Sequence, residues 1–194
     1  MIALCDPGLE NLKRLQRMFA RLGYMAVITS DPEEIACCDC VVLSSTGNIS
    51  QGFNALKKTR LDRLIPSLAK RGKQIVGIGL GAHLLCRGCQ ENGWYKGLDL
   101  LPVDVVSGKR TEGFLRVVGD GTLSGIDSAF YFDQSGYVRD GSNQAIAYHD
   151  GEFAAVKIEK NVAAIWFYPH KSGADGLYVM TKVLNLAENG GASL

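Results

Sequence analysis

No apolar run in this 194-residue sequence approaches the roughly 20 residues needed to span a bilayer, so a membrane-spanning protein is not expected. An excess of one charge is missing too. Lys and Arg number 21 against 20 Asp and Glu, a net charge of +1, which argues against a general nucleic-acid binder. Proline is scarce, at 5 residues, and no low-complexity tract, repeat or linker interrupts the chain. Residues 1–194 therefore read as one domain. The opening Met1-Ile2-Ala3-Leu4-Cys5-Asp6 has neither the positive region nor the long apolar core of a secretory leader, and the chain reads as cytoplasmic. In a reducing compartment its 6 cysteines are expected to be free thiols.

What is there is an alternation of short apolar runs and amphipathic stretches. Ile2–Cys5, Met25–Thr29 and Cys40–Leu43 read as strands. Leu9, Leu12, Leu15, Phe19 and Leu22 fall on one face of a helix ended by Gly23. Ser30-Asp31-Pro32-Glu33 reads as a cap with proline in the first helical turn. A longer helix is expected over Leu56–Lys70, kinked or split at Pro66. It belongs to a basic segment, Lys57, Lys58, Arg60, Arg63, Lys70, Arg71 and Lys73, which reads as a solvated face or as a docking surface for an acidic partner or phosphate. After Pro102 come short β-prone runs separated by glycine turns, among them Val103–Val106, Phe114–Val118 and Ala129–Phe132. A last helix covers about Gly176–Ala187. The fold class is α/β: a mostly parallel, flavodoxin-like central sheet flanked by helices, with antiparallel strands in the second half.

One stretch has a more specific form. Gln74-Ile75-Val76-Gly77-Ile78-Gly79-Leu80-Gly81-Ala82-His83 reads as strand, tight elbow and helix. The pattern Gly-x-nucleophile-x-Gly lifts a reactive side chain above a sheet in a strained turn. Gly77 and Gly81 fill the flanks, but the central position is Gly79, which has no side chain.

With its surroundings, this elbow resembles class I glutamine amidotransferases, most closely the glutaminase subunit of imidazole glycerol phosphate synthase. The resemblance runs through Ile2–Leu12, Leu22-Gly23-Tyr24, Thr29–Ile35, Gly97–Pro102 and Phe167–Gly173. It implies a cysteine nucleophile in the elbow with a His-Glu pair to handle the proton. All three are replaced, by Gly79, Tyr168 and His170. A phenol ionises near roughly pH 10 and is a poor proton acceptor at neutrality. The resemblance also places Ser45, Thr46 and Gly47 in the oxyanion loop and His83, Gln134 and Ser135 around the former substrate pocket.

The expectation is a pseudo-glutaminase without a cofactor, serving a synthase-like (β/α)8 partner protein or binding a small molecule in the vestigial cleft. The alternatives are a glutaminase-subunit relative of histidine biosynthesis, or an enzyme of changed chemistry drawing on Cys5, His83, Tyr168 or His170; His83 and His170, with Tyr168 or Asp133, are also candidates to hold a metal or a small anion. A further cluster is Cys37, Cys38, Cys40, Cys86 and Cys89. Cys86 and Cys89 are expected on one face of the elbow helix, near the strand that begins at Cys40. A zinc or iron–sulfur site, a redox pair and plain burial are all open for these thiols.

Overall fold

The computed structural model of the chain describes residues 1–5, 12–139 and 143–190. The opening turn Asp6-Pro7-Gly8 and the helix start at Leu9 lie outside the described residues. The first half runs β1 (Ile2–Cys5), α1 (Lys13–Arg21), β2 (Ala26–Thr29), α2 (Pro32–Cys37), β3 (Cys40–Ser45), α3 (Ile49–Lys58), α4 (Leu61–Lys70), β4 (Gln74–Gly79) and α5 (Leu80–Leu85). Its strands lie side by side as β2-β1-β3-β4, all parallel. Helices cover parallel sheets on both faces, which is why β1 and β3 are buried along their whole length and read as continuous apolar runs. Residues Leu15, Met18 and Phe19 carry the buried face of α1. At the start of α2 the Asp31 side chain accepts from the Glu33 N–H, with Pro32 just inside.

The helix expected over Leu56–Lys70 is two helices, and the break is not at Pro66. It falls at Thr59–Arg60, where the Thr59 hydroxyl donates back to the Ala55 carbonyl at 2.9 Å and Arg60 turns left-handed at φ 60°. Pro66 sits inside α4, close enough to its start that only the bond back to Asp62 is lost.

The second half runs β5 (Cys86–Gln90), β6 (Trp94–Lys96), β7 (Leu101–Gly119), β8 (Asp127–Tyr137), β9 (Ala145–Tyr148), β10 (Glu152–Glu159), β11 (Val162–Ile165) and α6 (Gly173–Gly190). Strand β11 adds to β4 in parallel, and the sheet continues β11-β10-β9-β7-β5-β6, with β8 paired to β7. All these later pairings are antiparallel except β5 with β7. This is the expected mixed α/β sheet. The runs expected at Val103–Val106 and Phe114–Val118 belong to one long strand, whose pairing with β8 slips between Ser107 and Thr111. Placing β11 against β4 matters most for function, because it delivers the segment after Ile165 to the end of the elbow strand. Among the described residues no helix is long and apolar enough to cross a membrane.

Candidate functional site

The elbow is present. Gly79 ends β4 with φ 58° and ψ −122°, a backbone state that glycine adopts without penalty. Two residues on, a Cβ at Gly81 would run into the Leu43 backbone carbonyl, so only glycine lets α5 start this close to β3. The whole of α5 is buried.

Tyr168 lies directly over Gly79. Ile165 pairs with Ile78, and the next residues, Trp166-Phe167-Tyr168, run into the core with Tyr168 only 1% exposed. The Tyr168 N–H donates to the Tyr131 carbonyl at 2.8 Å, and its hydroxyl donates to the Ser45 carbonyl at 3.4 Å. A Cβ built on Gly79 would stand 2.6 Å from the Tyr168 hydroxyl oxygen. The phenol therefore fills the space that a side chain on the elbow would need. The Lys171 ammonium lies 4.7 Å from the ring centres of both Tyr131 and Tyr168, which adds a cation–π clamp to that position.

The two expected histidines do not converge on the elbow as proton carriers. His83 is 3% exposed, with Nε2 3.1 Å from the Gly136 carbonyl, so Nε2 carries the hydrogen and donates. Burial pushes it down to about 4, against the pull of that carbonyl. His170 lies edge-on to Tyr168 at 5.8 Å and lines a separate groove with α1 residues. Burial, then the charges of Lys171 and Arg14, push it down to about 4 as well. Both imidazoles are neutral at pH 7. Cys5, considered as a displaced nucleophile, is fully buried and its thiol is pushed up to about 12 by burial and Cys38, far from thiolate character.

Beside the elbow lies an open cleft of about 330 Å³, lined by Gly47, Asn48, Gln51, Glu91, Arg110, Asp133, Gln134 and Ser135. Of the residues expected there, Gly47, Gln134 and Ser135 line it. His83 reaches only a void of about 20 Å³ at its inner end, which Gln134 and Ser135 share. Ser45 is buried, with its carbonyl taken by Tyr168. Thr46 lines neither cavity. The expectation did not include Asn48, Gln51, Glu91 or Arg110.

Asn48 and Gln51 form a reciprocal capping box on α3. The Glu91 carboxylate accepts from the Ile49 N–H at 2.8 Å, tying the turn after β5 to the start of the same helix. Arg110 donates to Asp133 at 2.9 Å and to Glu112 at 3.3 Å. Gln134 stands apart. It is 6% exposed, and neither its amide oxygen nor its amide nitrogen has a hydrogen-bond partner among the described residues. Buried polar groups are almost always satisfied, so this amide marks a place for a guest molecule or water.

The thiols are arranged differently from expectation. Helix α5 ends at Leu85, so Cys86 and Cys89 lie on β5 rather than on a shared helix face. Cys37 is exposed while Cys38, Cys40, Cys86 and Cys89 are buried and free. Burial pushes Cys89 up to about 12 and raises Cys38, Cys40 and Cys86 from their ordinary value. No group of three or more potential metal ligands forms among the described residues. In the basic segment, Lys57, Lys58, Arg60, Arg63, Lys70 and Arg71 are exposed, whereas the Lys73 ammonium caps α2 by donating to the Ala36 carbonyl at 2.7 Å and to that of Cys38.

No family model matches the chain. It is similar to the imidazole glycerol phosphate synthase subunit HisH of Bacillus velezensis, with 31% identity over 205 residues, covering 96% of this chain and 97% of the relative. It is similar to HisH of Rhodopirellula baltica at 31% identity over 196 residues, covering 94% and 96%. Among solved structures, a glutamine amidotransferase superposes with a TM-score of 0.76 at 15% identity, over 96% of this chain and 98% of that one. The last likeness speaks to the fold alone.

Proposed function

The chain belongs to the family of the imidazole glycerol phosphate synthase subunit HisH, within the class I glutamine amidotransferases, and on that premise we propose that it is a member that no longer hydrolyses glutamine. One observation carries this reading. The position where the resemblance calls for a thiol is Gly79, and the Tyr168 phenol occupies the space above it. Tyr168 stands where the resemblance calls for the base, so the residue that replaced the base also closes the nucleophile's seat. A neutral His170, facing away into another groove, supplies neither a carboxylate nor a proton acceptor to the elbow. Without a thiolate, no acyl-enzyme forms on the amide and no ammonia leaves.

The relatives are named as subunits of a synthase, so the role proposed here is a partner-binding one, with a synthase-like (β/α)8 protein as the partner. A second reading, compatible with the first, is that the cleft holds a small polar molecule. It is favoured by the unpartnered Gln134 amide. The test is glutamate release from glutamine, measured for the full chain alone and with soluble extract supplying a partner. The expected result is no release above that of the extract without the protein. Turnover near the ordinary enzymic range, about 1–1,000 per second, would overturn the reading.

A further inference from the structure

The remaining unexplained feature is the groove that His170 faces. It lies between α1 and the start of α6, encloses about 270 Å³, and is lined by Arg14, Arg17 and Arg21 around an apolar floor that includes Met18, Pro169 and Leu177. The three arginines are spaced three and four residues apart, which puts them on one face of α1. All three are exposed. None makes an ion pair among the described residues. Arg60, Arg63 and Arg71 likewise make no ion pair among the described residues, so what sets Arg14, Arg17 and Arg21 apart is that they line one groove. Three neighbouring unpaired cations repel one another and so favour an anion between them.

A second observation points the same way. Both charged groups that act on the His170 imidazole, Lys171 and Arg14, are cations. Cations therefore reach the groove from the turn before α6, through Lys171, as well as from α1. Gly173 and Ala174 of the first turn of α6 also line it, and Asp175 in that turn offsets the positive end of the helix.

We propose that the groove between α1 and α6 binds a small organic phosphate, with Arg14, Arg17 and Arg21 holding the phosphate and Met18, Pro169 and Leu177 receiving the carbon body. Forked guanidinium donors match phosphate oxygens in pairs. A volume at the small end of ligand sites suits a sugar-phosphate-sized molecule better than a large cofactor. The inference can fail separately from the glutaminase reading: the groove shares no residue with the cleft beside the elbow, and of the three replaced positions only His170 lines it.

The experiment is isothermal titration of the full chain at low salt with ribose 5-phosphate, inorganic phosphate, ribose and an acidic helical peptide. Ribose 5-phosphate is expected to bind with a dissociation constant below ~1 mM and ribose not to bind, since the phosphate supplies the attraction. Arg17→Gln should weaken binding about tenfold, as expected for loss of one charge-assisted contact. Lys58→Gln, on a different surface, should leave it unchanged. Circular dichroism melts would confirm that both variants fold. No binding of the ester, equal binding of inorganic phosphate, or binding of the acidic peptide alone would each overturn the assignment, the last in favour of a protein-docking face.

Discussion

The elbow and the cleft beside it share a wall of the molecule and have opposite characters. At the elbow every space is taken: α5 is buried, Tyr168 is 1% exposed, and a single added carbon on Gly79 would strike the phenol. A few residues away about 330 Å³ stays open, lined in part by a buried amide that has no partner among the described residues. Filling the space above Gly79 improves packing, whereas leaving a buried amide unsatisfied costs stability. The contrast teaches that losing a reaction and losing a pocket are separate events. On the reading proposed above, the first has gone with the packing of the elbow and the second has not followed.

The largest expected effect tests how tightly the elbow is packed. Gly81→Ala sets a methyl against the Leu43 carbonyl, where backbone meets backbone. Chemical denaturation should show a loss of about 3 kcal/mol or failure to fold, at the upper end of overpacking costs. A loss below the ordinary level for surface changes would mean that α5 moves freely from β3.

Next comes the pair itself. Gly79→Cys should cost about 1–3 kcal/mol from backbone strain, with the collision against Tyr168 added. The double variant Gly79→Cys, Tyr168→His should be more stable than the sum of its single changes, by about 1 kcal/mol or more, because the smaller ring relieves the collision. Additive losses would show that Tyr168 does not occupy the seat.

The two buried imidazoles give a pH signature. Burial holds His83 and His170 near 4, below the unfolded value of about 6.5. The unfolded chain binds more protons between those limits, so their contribution to stability is complete above pH ~6.5 and is lost as pH falls toward ~4. Each contributes a slope of at most about 1.4 kcal/mol per pH unit. Denaturation midpoints followed from pH 7 to 4.5 should fall, and His83→Leu should flatten that fall. An unchanged slope would mean that His83 is protonated in the folded state.

The smallest effect lies on the cleft side. Gln134→Leu removes an amide with no partner and should change stability by less than about 1 kcal/mol, in either direction. A loss well beyond that would mean the amide is bonded in solution, and would weaken the case for a guest site.

Much of this was legible in the residues. The elbow could be read because an apolar run met alternating glycines, and each of those glycines has a steric reason. Gly47, Gln134 and Ser135, which the resemblance put around the former pocket, line the cleft beside the elbow. The β5–β6 hairpin was not legible, because Leu84-Leu85-Cys86 continues the apolar character of α5 without a stop signal. What fixes the turn to strand is tertiary: β5 pairs with the distant β7, and the Gly88 backbone packs against the Trp94 ring. Glu91 was missed for a related reason, since its role is to bind the Ile49 N–H some forty residues away. Only the Asn48-x-x-Gln51 box could have been found from local spacing. Tyr168 was read as a poor base, but its second role as a plug needs β11 beside β4, which no local pattern reveals.

The most direct measurement is the intact mass of the full chain after exposure to an electrophilic glutamine analogue that alkylates a nucleophile at the amide-binding position. With no thiolate at the elbow and Cys5 held near 12, the mass should remain unchanged at neutral pH. A single stoichiometric adduct, blocked by excess glutamine, would place a working nucleophile in the site and contradict the account.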